Sequence, residues 1–202
     1  MIFTRGLDIA AKAGDYVTDL FTSATKEHLY FHNVKHTVQV VNACREISLS
    51  MHLSPLEIEI LELAAWFHDV GHISTPENHE KSGRDLATRF LIGSRYPVKD
   101  LARVNALIMA TRHTHTPNNV LEQVIKDADT YHLSAANFWE MSDELRTELE
   151  WSGQIFTDEA WLSNLRRKFN EHHYFTPYGE MVLEPRKNLN FNTYLVYLGA
   201  MN

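Results

Sequence analysis

The chain has 202 residues, of which 44% are hydrophobic, 22% charged and 11% aromatic, and its formal net charge is −7. This composition fits one globular domain with a full hydrophobic core and excludes a disordered chain. The acidic balance argues against a protein that wraps extended nucleic acid, no apolar run is long enough to cross a membrane, and the N-terminus predicts no secretory signal.

The cysteine and histidine content limits the chemistry that the chain can carry. Cys44 is the single cysteine, so no internal disulfide can form, and we predict a reducing, cytoplasmic location. The sequence has 12 histidines. Any metal site would therefore depend on imidazole and carboxylate ligands rather than thiolates.

Apolar residues recur at helical spacing along most of the chain. The clearest helix start is at Ser54, which can cap the helix, followed by Pro55 in its first turn. The predicted helices, in chain order, are 7–23, 36–51, 54–71, 79–92, 98–111, 118–128, one that opens at Asn137 or Ser142, 157–172, and one from about Lys187 that follows a turn at 176–179.

The sequence contains no strand alternation of useful length, no internal repeat and no Ser- or Gly-rich linker. These features predict one all-α domain. Beyond about residue 140 the chain becomes richer in large aromatic residues, such as Trp151 and Trp161. We interpret this region as an extension that packs on the main helical body or forms a homodimer surface.

Histidines and aspartates gather at the ends of successive predicted helices. Helix ends that converge can bring such residues to one point, where neutral imidazoles and ionised carboxylates bind divalent ions. His68 and Asp69 are neighbours at one helix end, about 100° apart, so both can face one ion. Asp69 has two oxygens and can bridge two ions, and His36 and Asp129 would complete the first site.

A second metal position is predicted beside the first. His79 and His113 are the candidates for holding it. Two ions a few ångströms apart can activate a water and neutralise phosphate oxygens during in-line attack. The pattern therefore favours phosphate-ester hydrolysis without a serine or lysine nucleophile.

Three motifs, taken in order, resemble those of the HD superfamily of metal-dependent phosphohydrolases. That superfamily has a histidine, then a His-Asp pair, then a later aspartate as its core metal ligands. The corresponding stretches here are Phe31-His-Asn-Val-Lys-His36, Phe67-His-Asp-Val-Gly-His72 and Asp127-Ala-Asp129.

The resemblance implies an all-α, HD-domain-like helical bundle with a five-helix metal core. The resemblance covers about residues 28–135. We expect the whole chain, 1–202, to be a single HD-type domain, in which about 136–202 form a C-terminal helical extension. It also implies that His36, rather than His32, is the ligand from the first motif, and that Asp129 is the ligand from the last.

Members of the superfamily with two metals carry further histidines between the His-Asp pair and the last aspartate. His79 and His113 resemble these, and His115 is a rival to His113. Residues two apart on a helix face away from each other, so both can bind only if the helix has ended. Thr116-Pro117 indicates that it has ended. We favour His113 and keep His115 open.

The predicted activity is hydrolysis of a phosphomonoester or phosphodiester bond, with a nucleotide as the expected substrate, by a metal-activated water. The expected cofactor is one or two divalent ions of manganese, iron, cobalt, nickel or magnesium. Asp69 would hold the metals and take part in catalysis, and the acid for the leaving group would be His72, His115 or a water. Three basic residues beside the proposed ligands are candidates for phosphate contacts: Lys81, Arg84 and Arg112.

Two other functions fit the same core. A few HD-type proteins with mixed-valence di-iron sites oxidise their substrates with oxygen, and the additional histidines here are compatible with that. The alternative is a non-catalytic module that senses a nucleotide, although a sensor need not retain every metal ligand. The sequence does not distinguish among nucleotide classes as substrate.

Overall fold

A computed structural model describes residues 3–24, 28–74 and 76–199 of the chain. Within these ranges the structure is helical and contains no strand, so the all-α prediction is confirmed. No described helix is both long enough and apolar enough to cross a membrane. The helices are α1 Phe3–Ser23, α2 Val34–Ser50, α3 Pro55–Phe67, α4 His79–Gly93, α5 Val98–Ala110, α6 Val120–Asp129, α7 Phe138–Trp151, α8 Asp158–Glu171 and α9 Glu184–Gly199.

The third helix, α3, lies at the centre of the core. It contacts α1, α2, α4, α5 and α6. A helix that is surrounded on all sides must be apolar around its circumference. Its interior residues accordingly have no exposed surface: Ile60, Leu61, Leu63, Ala64, Ala65 and Phe67.

Capping side chains set where the helices that carry the motifs begin. Ser54 and Glu57 form the reciprocal capping box that starts α3, as the sequence predicted for Ser54. Asn33 accepts hydrogen bonds from the backbone N–H groups of Lys35 and His36, which fixes His36 in the first turn of α2. Asn119 caps α6 in the same way.

The chain changes direction sharply after α3. The sequence predicted a helix as far as Gly71, whereas α3 ends at Phe67 and a 3-10 turn follows at Val70–Ile73. A Cβ on Gly71 would lie 2.0 Å from the backbone oxygen of His79, and one on Gly83 would lie 2.2 Å from that of Phe67. The two glycines therefore let α4 pass directly over the end of α3, and this crossing ends the helix early.

The C-terminal part has its own small core, which contains Leu133, Phe138, Trp161, Leu165 and Phe169. Of the two predicted starts for α7, the structure has the one at Asn137, which immediately precedes the helix. The last helix begins before the predicted Lys187, because a π turn at Gly179–Leu183 leads directly into it. Pro185 lacks a backbone N–H, which accounts for irregular hydrogen bonding in the turn just before it.

Candidate metal centre

Four of the predicted ligands meet at the ends of three helices. His36 lies in the first turn of α2, His68 and Asp69 directly follow α3, and Asp129 is the last residue of α6. One ligand atom from each lies within 4.8 Å of those of the other three. His36, His68 and Asp69 are buried, whereas the Asp129 side chain is 27% exposed, so solvent reaches the cluster on the Asp129 side.

The two imidazoles face the same carboxylate oxygens. His68 Nε2 lies 3.1 Å from Asp69 Oδ2 and 3.4 Å from Asp129 Oδ1. His36 Nε2 lies 3.4 Å from Asp69 Oδ2 and 3.7 Å from Asp129 Oδ1. Two nitrogens and two oxygens therefore surround one point, which is the donor set that mixed-ligand divalent sites use.

The hydrogen-bond partners of His68 leave its Nε2 available to an ion. His68 Nδ1 donates to the backbone oxygen of Ala65 at 2.7 Å, which orients the ring. Metal-bound histidines usually have such a partner on the other ring nitrogen. His68 Nε2 is buried and has no hydrogen-bond partner. A buried polar atom without a partner is costly, and a cation at this point would remove the cost, so the residues fit a divalent ion.

The cluster brings positive and negative charges together in a largely buried environment. Burial favours the neutral form of each group, but the neighbouring opposite charges outweigh it. The pKa of His68 is well above its usual value because Asp69 and Asp129 outweigh burial, and the pKa of His36 is raised for the same reason. Conversely, the pKa values of Asp69 and Asp129 are lowered because the histidines outweigh burial. The two carboxylates therefore stay ionised and attract positive charge.

The second oxygen of Asp69 faces a different pair of histidines. Asp69 Oδ1 lies 3.6 Å from His79 Nε2 and 3.9 Å from His72 Nε2, and these three residues form another group with metal-ligand spacing. His79 Nδ1 donates to the backbone oxygen of Pro76 at 2.9 Å, as His68 does to Ala65. His72 Nε2 is buried without a hydrogen-bond partner. Asp69 thus lies between two ligand groups, one on each oxygen.

Three histidine rings are stacked beside this second group. The ring centroids of His32 and His72 are 4.0 Å apart with an interplanar angle of 10°, and those of His72 and His79 are 4.0 Å apart with an angle of 25°. Burial, then the neighbouring His32, lowers the pKa of His72 to about 3. His72 is therefore neutral at physiological pH, which is the form that binds metals.

Neither His113 nor His115 belongs to a metal-ligand group among the described residues. His113 is exposed in the turn that follows α5, and no metal-ligand group among the described residues contains it. His115 Nε2 lies 2.8 Å from Glu122 Oε2 in α6. Helix α5 ends at Ala110, and Lys126 donates to the backbone oxygen of Arg112 at 2.8 Å, which holds this turn against α6. Among the described residues it is therefore His72 that groups with His79 and Asp69, and ligation by His113 stays a prediction.

The three basic candidates for phosphate contacts have different surroundings. Arg112 Nε lies 3.8 Å from Glu80 Oε2, and Glu80 Oε1 lies 3.5 Å from His79 Nε2, so Arg112 is near the second group. Arg84 pairs with its neighbour Asp85 at 2.7 Å. Lys81 is exposed on α4. Of the three, Arg112 has the geometry closest to the site.

Two residues beside this site, Glu148 and His132, were not predicted from the sequence. Glu148 in α7 pairs with His32, and these two form a third metal-ligand group with His72. His132 packs against His36, with ring centroids 6.1 Å apart, and burial lowers its pKa to about 3. His32 was predicted to lie outside the first group, and among the described residues it is grouped with His72 and Glu148 instead. No local pattern marks Glu148, which is 116 residues from His32.

The HD domain family model matches residues 33–134, which span α2 to the 3-10 turn after α6. This range contains the four clustered ligands together with His72 and His79. The sequence matches none of the curated proteins at a significant level.

Several solved structures share the fold over nearly the whole chain. A predicted HD superfamily hydrolase from an uncultured Thermotogales bacterium is 18% identical, covers 93% of this chain and 92% of its own, and has a TM-score of 0.61. The Bacillus subtilis protein YpgQ, solved in complex with ADP, is 16% identical, covers 98% and 96%, and has a TM-score of 0.71. A Lactobacillus plantarum protein is 14% identical, covers 96% of each chain, and has a TM-score of 0.72. At these identities the likeness concerns the fold.

Proposed function

The chain belongs to the HD domain family, as its three motifs predicted, and on this premise we propose that it is a metal-dependent phosphohydrolase. Its reaction would be hydrolysis of a phosphomonoester or phosphodiester bond, with a nucleotide as substrate. The observation that carries the proposal is the placement of Asp69, whose two oxygens face separate pairs of histidines. Family membership and this cluster together support a metal-dependent hydrolase.

The four-residue group would hold the first ion, and Asp69 with His72 and His79 would hold the second. The mixture of nitrogen and oxygen donors favours manganese, iron, cobalt or nickel over magnesium. When bound, the ions would supply the positive charge that lowers the pKa of a water and neutralises phosphate oxygens. Asp69 belongs to both groups, so it would be a ligand of each ion.

The remaining residues would orient the substrate and move protons. Arg112 is the candidate for a phosphate contact, because its guanidinium lies beside Glu80 at the edge of the second group. Lys81 and Arg84 keep that role as weaker candidates. For the proton on the leaving group, a water is the best of the three candidates. His72 is neutral and belongs to the second group, and His115 is paired with Glu122.

A pocket of about 270 Å³ between α2 and the extension supports a nucleoside in the substrate. Its lining includes the carboxamides of Gln39, Asn42 and Asn137 and the ring of Tyr131. Gln39 Oε1 is buried without a hydrogen-bond partner. Carboxamides match the donor and acceptor edges of a base, and an aromatic ring can stack on it. The Bacillus subtilis neighbour solved with ADP agrees with this class of substrate.

Hydrolysis by the purified chain with added Mn²⁺ tests the proposal. Bis-p-nitrophenyl phosphate and a panel of nucleotides would be the substrates, and Asp69→Ala should lose at least about 100-fold in kcat/KM. Asp158→Asn is the matched control, since that side chain is 80% exposed and pairs only at the surface with Arg146. Undiminished activity in Asp69→Ala would refute the proposal.

The same preparation separates the two other functions. Bound iron together with oxygen consumption on substrate addition would indicate an HD-type di-iron oxygenase. Tight nucleotide binding without turnover, whichever metal is supplied, would indicate a sensing module. Location in the cytoplasm and a homodimer through the extension stay predictions, which fractionation and light scattering would check.

A further inference from the structure

Glu148 is the one residue of the C-terminal extension that belongs to a metal-ligand group among the described residues. It lies on α7, and its side chain is 13% exposed. Its Oε2 accepts hydrogen bonds from the backbone N–H of Phe31 at 2.8 Å and of His32 at 3.0 Å. Its Oε1 accepts from His32 Nδ1. One carboxylate therefore fixes both the backbone and the ring of His32.

Ring contacts connect His32 to the histidines of the second metal position. His32 lies flat on His72, and His72 lies nearly flat on His79. His72 and His79 are the residues whose Nε2 atoms face Asp69 Oδ1. A stack of rings in van der Waals contact resists rotation of its middle member, because rotation would lose contact on both faces.

We infer that Glu148 is a positioning residue for the second metal position, acting through the stacked rings of His32 and His72. The inference rests on the proposed function, because it assumes that the second group holds an ion. It gives the extension a specific role, in which α7 would complete a site whose ligands all lie in the core. Partners that orient the ligands of metal sites typically contribute about 10- to 100-fold in metal affinity.

Titration with Mn²⁺ tests the inference without any substrate. The full chain should bind two ions, seen by mass spectrometry of the protein after gel filtration, and show the coupled electron paramagnetic resonance signal of a Mn²⁺ pair. In Glu148→Gln and Glu148→Ala the second ion should bind about 10- to 100-fold more weakly and the coupled signal should be lost. The first ion should be weakened less than the second, because of its four ligands only His36 packs against residues that Glu148 holds, namely Phe31 and His32.

Glu144→Gln is the matched control. Glu144 lies one turn earlier on α7 and pairs with Lys35 at 3.1 Å, so its loss disturbs the same helix but not His32. This variant should bind two ions as wild type does. Thermal unfolding of each variant, followed by circular dichroism, shows whether the helical fold is intact at the titration temperature.

A double-variant cycle tests whether Glu148 acts through His32. His32→Ala should weaken the second ion as Glu148→Ala does, and the double variant should weaken it no further than either single variant, because both changes remove the support of His72 by the same ring. Additive losses in the double variant would show that Glu148 acts without His32 and would overturn the inference. Two tightly bound ions in every Glu148 variant would also overturn it and leave the proposed hydrolase standing. A wild-type chain that binds no ion would refute the hydrolase itself.

Discussion

Removal of the Asp127 carboxylate should detach the end of the chain from the core. Asp127 is fully buried in α6, two residues before Asp129. It accepts hydrogen bonds from the backbone N–H groups of Phe175 and Thr176 at 2.8 and 2.9 Å, and from the Thr176 hydroxyl at 2.7 Å. Thr176 is also fully buried, so Asp127→Ala leaves the two donors of Thr176 where water does not reach them in the folded state.

The number of orphaned donors sets the size of the effect. Each buried donor without an acceptor costs about 1–3 kcal/mol. The two donors of Thr176 are buried, whereas Phe175 is 40% exposed and its N–H can find water. Two buried donors without an acceptor should therefore lower the free energy of unfolding by about 2–4 kcal/mol. A loss of that size is a large fraction of the stability of a domain.

Urea denaturation followed by circular dichroism and by tryptophan fluorescence would measure it. Asp158→Ala, at an exposed aspartate, should change the free energy of unfolding by less than about 0.5 kcal/mol. If the chain is one domain, as we propose, both probes should follow one transition in wild type. A loss below about 1 kcal/mol in Asp127→Ala would refute the reasoning about orphaned donors.

Three further predictions concern the metal centre. Gly71→Ala should lower the free energy of unfolding by about 3 kcal/mol and lower the affinity for the second ion, because the new Cβ would clash with the His79 backbone. An unchanged melting temperature would contradict this. His79→Ala should lower the affinity for the second ion at least about tenfold, whereas His113→Ala should not. Ion counting by mass spectrometry would show this, and equal losses in both variants would indicate that His113 is a ligand of the second ion. Mn²⁺ at 100 times its dissociation constant should add about 2.7 kcal/mol to the free energy of unfolding. Asp69→Ala should abolish the corresponding rise in melting temperature in a thermal shift assay, and an equal rise in the variant would show that the ion binds elsewhere.

Local patterns in the sequence were sufficient to predict the helices and the main ligand group. Helical periodicity and caps such as Ser54 act within a few residues, so they can be recognised before the tertiary structure is known. The four residues of the first group, His36, His68, Asp69 and Asp129, stand in short motifs at helix ends, and the structure brings them within 4.8 Å of one another. Helix ends indicated where ligands could meet, and the resemblance of three motifs to the HD superfamily implied which residues they are.

The packing of distant segments decided the second group. Whether His72 or His113 lies beside His79 depends on how closely α4 crosses the end of α3, which two glycines permit, and on where the chain turns after α5. Glu148 reaches His32 across 116 residues of sequence, and no spacing rule acts over such a distance. The sequence, with its resemblance to the HD superfamily, therefore predicted a metal centre and the four residues that the structure brings together as its first group. Only the tertiary structure determined which residues lie around the other oxygen of Asp69, because that depends on contacts between helices rather than along them.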